Sequence, residues 1–235
     1  MKKKLVLALI STFLLGFFYF YTSSGIKPAD WSETKTETLS DTMAFTLKKG
    51  DILVHPNWGW FPGSFSVPNG WRYGHVAIVT EEASGNTVDE ALSKASVVEA
   101  LFFDQATRKF LFRKKDQIRE GKAIVSFGNR FKGIRYRLRM NLSDDQANEM
   151  VRFLRNQLEG GYNIFSLKKQ FSSLVEKENA IQNLKNANWQ CATLSWEVYY
   201  LVPRVDIDAN GGLIVYPSDI IASSCFDVPG GRIRF

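Results

Sequence analysis

The feature that most constrains this 235-residue chain is a strongly apolar segment that begins at a cysteine. From Cys191 onward, Leu194, Val198 and Leu201 recur at helical spacing, which predicts a buried helix whose first turn carries the thiol. A cysteine in that position lies near unsatisfied backbone N–H groups and the positive end of the helix dipole, and both favour the thiolate. Most free cysteines are nevertheless small apolar core residues. Cys191 is therefore a candidate nucleophile only if the chain supplies it with a base.

The amino-terminal end has the form of an export signal. A lysine cluster precedes an uncharged run over residues 5–21, and the small residues at 22–24 could form a cleavage site. The run is close to the lower limit of about 17–25 residues that spans a bilayer, so residues 1–24 are predicted to be either a signal peptide or a membrane anchor. The lysines favour a cytoplasmic amino terminus, which predicts an exported, extracytoplasmic protein that is secreted or anchored. Residues 25–43 are predicted to be a linker and residues 44–235 one domain.

Composition narrows the class of protein. Hydrophobic residues make up 45% of the chain and charged residues 23%, which is typical of a folded protein. The aromatic content of 14% indicates a large core or a binding groove. The net charge of +6 favours anionic partners, but export argues against nucleic acid.

Hydrophobic patterns predict the order of the main elements. Strands are expected at residues 52–54, 74–80 and 96–101, with a turn into a further strand at residues 86–88. A helix is expected after Ser143, which with Gln146 forms a capping-box pattern. Further along the chain, the patterns predict a second helix over 166–185, then the cysteine helix, and turns and short strands over 214–235.

An alternating segment over residues 134–140 predicts a half-buried strand with arginines on its exposed face. These arginines are Arg135, Arg137 and Arg139. The simpler interpretation is a solvated sheet face. The functional alternative is a contact with anionic lipid or a wall polymer.

Only His55 and His75 could serve as a base for the thiol. His55 precedes a proline in a predicted loop, which favours a surface position. His75 starts a strand, so its ring can project from a sheet edge, although such a histidine is often only a hydrogen-bonded polar residue. Glu99 lies among apolar neighbours, where a carboxylate is costly unless it is paired or faces a cleft. It could orient His75, or it could lie on the exposed face of its strand.

Other chemistries have weaker support. Two histidines and two distant cysteines match no familiar zinc spacing, and there is no glycine-rich phosphate loop, so neither a metal nor a cofactor is predicted. In an oxidising compartment, Cys191 and Cys225 could instead form a disulfide.

Several short motifs resemble the permuted papain-like amidases of the YaeF/YiiX type. The motifs are residues 49–53, 73–79, 98–100, 161–163 and 190–191. This group belongs to the wider NlpC-like cysteine peptidases, and lecithin retinol acyltransferase is a permuted relative. The resemblance implies an α+β fold in which an antiparallel sheet bearing the histidine precedes and packs against the cysteine-bearing helix.

The resemblance also implies roles for individual residues. Cys191 would be the nucleophile, His75 the base and Glu99 the group that orients the imidazole. The candidate substrate-binding residues are Tyr162, Trp71, Tyr73 and Gln190. Two departures, Gln190 before the cysteine where tyrosine is frequent and Gly74 before the histidine where serine is usual, leave the substrate open.

The expected function is therefore an exported cysteine amidase or peptidase that forms a thioester. Its substrate would be a cell-wall peptide or a lipid-linked amide. A thiol acyltransferase acting on lipid is one alternative. A non-catalytic binding module with a Cys191–Cys225 disulfide is another.

Overall fold

The structure is a computed structural model that describes residues 2–23, 35–56, 65–66, 72–104, 107, 109–128 and 131–235. The helices are α1 (Lys2–Ser23), α2 (Val88–Lys94), α3 (Ala123–Phe127), α4 (Asp144–Arg155), α5 (Leu174–Asn183), α6 (Cys191–Leu201) and α7 (Pro217–Ala222). The strands are β1 (Glu37–Thr38), β2 (Phe45–Leu47), β3 (Ile52–Pro56), β4 (Phe65–Ser66), β5 (Arg72–Glu81), β6 (Ala83–Gly85), β7 (Ser96–Ala100), β8 (Phe103–Asp104), β9 (Lys109–Phe110), β10 (Ile118–Lys122), β11 (Tyr136–Leu138) and β12 (Arg232–Arg234).

A mostly antiparallel sheet connects the two ends of the chain. Its strand order is β1-β12-β11-β3-β5-β7-β10, and β4 also pairs with β5. The pair β1–β12 is parallel, and it brings Glu37 and Thr38, which lie in the predicted linker, into the sheet. The α+β class expected from the sequence is thus observed.

Both faces of the sheet are covered. On β5, Val76 and Ile78 belong to a core shared with α4, α6 and α7. Ala77 and Val79, which alternate with them, belong to a second core shared with α2 and α3. The cysteine-bearing helix α6 therefore packs against the sheet from one side, while α2 and α3 cover the other.

Two helix starts follow from local sequence. Ser143 and Gln146 form the predicted capping box at the start of α4, with Ser143 Oγ accepting from the Gln146 backbone N–H at 3.2 Å. Helix α6 begins at Cys191 as predicted, and Gln190 is its amino-terminal cap. Both starts are confirmed because they depend on contacts within three residues.

Two other predictions of secondary structure were wrong. Residues 86–88 lead into helix α2 instead of a strand, because Thr87 Oγ1 caps it by accepting from the Glu90 N–H at 3.2 Å. The helix predicted over residues 166–185 exists only as α5, because the preceding segment bonds to α6. Lys169 N–H donates to Glu197 at 3.2 Å, and the Ser166 carbonyl accepts from the Thr193 hydroxyl.

The prediction of an exposed arginine face was also wrong. Arg135 donates to Asp41 at 2.7 Å, Arg139 contacts both carboxylate oxygens of Asp51, and Arg137 donates to a backbone carbonyl. Neighbouring elements cover both faces of the strand, so Arg135 and Arg137 are buried. Asp41 and Asp51, from distant segments, form ion pairs with Arg135 and Arg139. An anionic surface remains an untested partner, but these three side chains are engaged inside the protein.

Residues 1–24 were predicted to be a signal peptide or a membrane anchor. Within the described residues, none of the helices combines the length and the apolar character needed to cross a membrane.

Candidate active site

The thiol of Cys191 lies at the amino-terminal end of α6, facing the start of β5. The residue is 2% exposed, and its Sγ is 3.9 Å from the carbonyl oxygen of Gly74. The predicted alternative of a Cys191–Cys225 disulfide is contradicted, because both cysteines are free. The Cys225 thiol instead contacts the backbone oxygen of Asp206 at 3.5 Å.

His75 joins the thiol to a carboxylate. Its Nε2 is 2.9 Å from Glu99 Oε2. Cys191 contacts the carbonyl of Gly74, the residue before His75, and it is close enough to the imidazole to raise its pKa. Glu99 pairs with Ala77 across β5 and β7, which places His75 diagonally opposite Glu99. Because Nε2 is directed at Glu99, Nδ1 is the ring nitrogen left for the sulfur. The structure thus brings together the three residues predicted to form the reacting group.

Glu99 is held as a carboxylate by several donors. Its Oε1 accepts from Ser126 Oγ at 2.9 Å and from Arg119 Nε at 3.1 Å. Burial raises the pKa of Glu99, but the bonds and charges of His75, Arg119 and Ser126 outweigh it and lower the pKa to about 2. Glu99 is 3% exposed, so it does not lie on the solvent-exposed face of its strand. It is instead paired with these donors, as a carboxylate among apolar neighbours must be.

The charge state of His75 follows from these neighbours. Burial lowers its pKa, but the hydrogen bonds and charges of Cys191 and Glu99 outweigh that effect and raise the pKa from 6.5 to about 9. His75 is therefore an imidazolium at neutral pH, and Nε2 donates to Glu99. An imidazolium beside a sulfur is the electrostatic setting in which thiolate nucleophiles operate.

His55 is not the surface residue that its position before a proline suggested. It lies in β3 directly opposite His75, and it is fully buried. Its ring stacks on Phe131 with the centroids 4.2 Å apart, and it lies 5.0 Å from the His75 ring. Strand β3 continues to Pro56, two residues beyond the predicted end, so His55 packs behind His75 and limits the positions of that ring.

Tyr162 lies close to the thiol. Burial raises the pKa of Tyr162 well above its ordinary value, and the neighbouring Cys191 adds to the rise, so the hydroxyl keeps its proton. Its backbone N–H donates to Gln117 Oε1 at 2.8 Å, and it forms an isolated bridge with Trp189. These contacts fix the backbone of Tyr162 beside Trp189, two residues before Cys191.

The other predicted substrate-binding residues are placed differently. Tyr73 is a core residue whose ring packs edge-on against Tyr136 at 5.3 Å. Gln190 Oε1 accepts from the Thr193 backbone N–H at 2.9 Å, so this oxygen caps α6. Trp71 lies outside the described residues.

Sequence reasoning missed the residues that support Glu99. Arg119 pairs with Glu99 across β7 and β10, and it also donates to Asp104 at 2.8 Å. The sequence showed a basic stretch here but not which cation would meet a buried acid. In the part of the chain described, no cluster of at least three His, Cys, Asp or Glu side chains is arranged to hold a metal ion.

Comparisons with known proteins give no further assignment. No protein-family model matches the sequence, and neither the curated proteins nor the solved structures contain a match.

Proposed function

We propose that this protein is a cysteine hydrolase that cleaves an amide or ester bond through a thioester. Cys191 is the nucleophile, His75 the acid and base, and Glu99 the group that holds the imidazole. The observation that carries this proposal is the position of His75: its Nε2 is 2.9 Å from Glu99 Oε2, and the Cys191 thiol lies 3.9 Å from the carbonyl oxygen of the preceding residue, Gly74. A thiol, an imidazole and an orienting carboxylate in contact are the set that covalent acyl transfer requires.

The proposed first half-reaction uses the charge state of the site. The Cys191 thiolate attacks the substrate carbonyl, forming the C–S bond and a tetrahedral oxyanion. The backbone N–H of Cys191, at the start of α6, and the Tyr162 hydroxyl are the proposed donors to that oxyanion. His75 then gives its proton to the leaving amine or alcohol as the carbonyl–heteroatom bond breaks.

The second half-reaction restores the site. Neutral His75 removes a proton from water, and the resulting hydroxide attacks the thioester. The C–S bond breaks, the carboxylic acid product leaves, and the thiolate–imidazolium pair is regenerated. Glu99 remains a carboxylate throughout and keeps Nε2 protonated.

The same residues carry the resemblance to the permuted papain-like amidases. An antiparallel sheet bearing His75 and Glu99, followed by a helix that starts at Cys191, agrees with the chain order which that resemblance implies. Membership of this fold group, export, and a cell-wall or lipid-linked amide as substrate are parts of the proposal.

A trapping experiment tests the assignment of the nucleophile. Purified full-length protein would be mixed with acyl p-nitrophenyl esters and acyl p-nitroanilides, quenched in acid and analysed by intact and peptide mass spectrometry. We expect one acyl group on Cys191 and a loss of turnover of at least about 10³-fold in Cys191→Ala. Cys225→Ala is the matched control and should keep its activity. Unchanged turnover in Cys191→Ala, or acylation of Cys225 alone, would refute the proposal.

The acyl acceptor separates hydrolase from acyltransferase. A hydrolase releases the free acid with water as the only acceptor. Product that forms only after an alcohol or amine acceptor is added would support the acyltransferase alternative instead. Titration of native protein with a thiol reagent tests the binding-module alternative, which requires that no thiol reacts.

A further inference from the structure

A row of aromatic rings leads from the candidate active site to the protein surface. The Phe102 ring centroid is 5.9 Å from that of Tyr162 and 5.3 Å from that of Phe110, which is 6.2 Å from Phe112. Phe110 is 51% exposed and Phe112 82% exposed. Adjacent exposed phenylalanines beside a functional site are characteristic of a surface that contacts an apolar partner.

Cations surround these rings. Exposed basic side chains lie on both sides of the two phenylalanines in sequence: Lys109 precedes Phe110, and Arg113, Lys114 and Lys115 follow Phe112. None of them forms an ion pair within the described residues, and Asp116 is the one acid between residues 109 and 116. We refer to Lys109, Phe110, Phe112, Arg113, Lys114 and Lys115 as the aromatic–basic edge.

Hydrogen bonds fix the aromatic–basic edge relative to the site. Gln117 Nε2 donates to the Leu111 carbonyl at 2.5 Å, while its Oε1 accepts from the Tyr162 N–H at 2.8 Å. The Leu111 N–H in turn donates to the Phe102 carbonyl at 2.9 Å. One side chain, Gln117, therefore connects the edge to the tyrosine that lies beside the thiol.

We propose that the aromatic–basic edge docks on the interface of an anionic lipid bilayer. Phenylalanine rings gain free energy at the boundary between headgroups and acyl chains, and lysines and arginines are attracted by lipid phosphates. A soluble or wall polyanion would satisfy the cations, but it offers no apolar layer for Phe110 and Phe112. The combination of both features therefore favours a bilayer.

Docking in this way would present the candidate active site to the lipid surface. The substrate would then be an amide or ester carried by a membrane lipid, and this consequence rests on the proposed hydrolase function. The docking itself does not depend on the thiol, so it can be tested in a protein without Cys191.

A fluorescent label on Phe112 provides a local test. In full-length Cys191→Ala/Cys225→Ala protein, Phe112→Cys would be labelled with acrylodan and titrated with vesicles of phosphatidylglycerol and phosphatidylcholine, or of phosphatidylcholine alone. We expect a blue shift with the anionic vesicles only. A label at Val228→Cys, 48% exposed before β12 near the other end of the sheet, should not shift. Both proteins retain the apolar amino-terminal segment, so its insertion cannot produce the difference.

Charge reversal tests the role of the lysines. Lys114→Glu/Lys115→Glu removes two cations, so affinity for the anionic vesicles, followed by the Phe112 label, should fall by about 30-fold or more. Lys48→Glu/Lys185→Glu makes the same change of net charge at exposed lysines elsewhere, and it should alter the affinity by less than about threefold.

Four results would overturn the docking proposal. They are an unshifted Phe112 label with anionic vesicles, equal shifts at positions 112 and 228, an equal loss of affinity in the two charge-reversed variants, and a shift produced without vesicles by a soluble polyanion or by raised protein concentration. Each of these would leave the hydrolase proposal standing, because the labelled protein lacks the thiol.

Discussion

Replacing Glu99 with glutamine tests the electrostatics on which the candidate active site depends. The amide is similar in size to the carboxylate and can still accept from His75 Nε2, but it carries no charge. The carboxylate is one of the two groups that raise the pKa of His75 from 6.5 to about 9, the other being Cys191. The variant should therefore lower the pKa of His75 with little change in the packing around it.

The raised pKa of His75 sets the size of the expected effect. The raised pKa corresponds to roughly 3 kcal/mol of preference for the imidazolium, at about 1.4 kcal/mol per pH unit. Loss of a carboxylate in direct contact lowers such a pKa by about 1–3 pH units, which predicts a value below about 8 in Glu99→Gln. In Glu99→Gln/Cys191→Ala both charges that raise the pKa of His75 are removed, so burial should take that pKa below the ordinary 6.5.

The pH dependence of the free energy of unfolding should show the same change in the pKa of His75. Because the folded-state pKa is raised, the imidazolium stabilises the protein fully below about pH 6.5, and that contribution is lost as the pH rises through about 9. The free energy of unfolding should thus decrease between pH 6.5 and 9 in the wild type. In Glu99→Gln the decrease should be smaller and complete near pH 8.

Proton NMR of the imidazole groups measures the pKa directly, since the chain has 2 histidines. The resonance that changes in Cys191→Ala identifies His75, and urea titrations at several pH values supply the free energies of unfolding. Glu120→Gln is the matched control. Glu120 lies on β10, next to the strand of Glu99, but its carboxylate pairs with Arg155 and Thr80 and not with His75. A His75 pKa in Glu99→Gln within about half a pH unit of the wild-type value would refute the reasoning.

Three further substitutions test the packing around the site by urea unfolding. Lys168→Met should lower the free energy of unfolding by about 3–5 kcal/mol, because it leaves the carboxylate of Asp208 buried without its cation. Ser143→Ala should cost about 1 kcal/mol, because it removes the cap that accepts from the Gln146 N–H. Gly50→Ala should cost about 1–3 kcal/mol, because Gly50 has a φ of +84° and an added Cβ would lie 2.5 Å from a leucine side chain.

Each of these substitutions has a control at a residue of the same type. Lys169→Met removes a lysine that lies over the Trp189 ring without an ion pair, and its cost should stay below about 1 kcal/mol. Ser84→Ala should change stability by less than about 0.5 kcal/mol. Gly121→Ala meets no atom within 4 Å and should be neutral or slightly stabilising. Equal effects in a substitution and its control would contradict the assigned cause.

Local sequence predicted the elements that depend on near neighbours. The start of α6 at Cys191 follows from helical spacing, and the capping box of α4 follows from two residues three positions apart. The strand that carries His75 follows from a short apolar run bounded by glycine. Helix α2 was missed because the cap at Thr87 resembles a turn, and a turn leads equally well into a strand.

The tertiary structure decided which side chains meet and which are covered. Cys191 reaches the start of β5 across 117 residues of sequence, and His75 meets Glu99 across 24. Arg135 is buried against Asp41, which lies 94 residues away in the sequence. The alternating pattern of residues 134–140 therefore could not distinguish a solvent-exposed strand face from a buried one. Local sequence was enough to predict that a thiol starts a helix and that an imidazole belongs to a strand, because backbone and neighbouring contacts set both; β5 begins at Arg72, however, so His75 lies inside the strand and not at its start. Only packing between distant segments placed the two together with a buried carboxylate, because burial and charge pairing depend on residues that no local pattern contains.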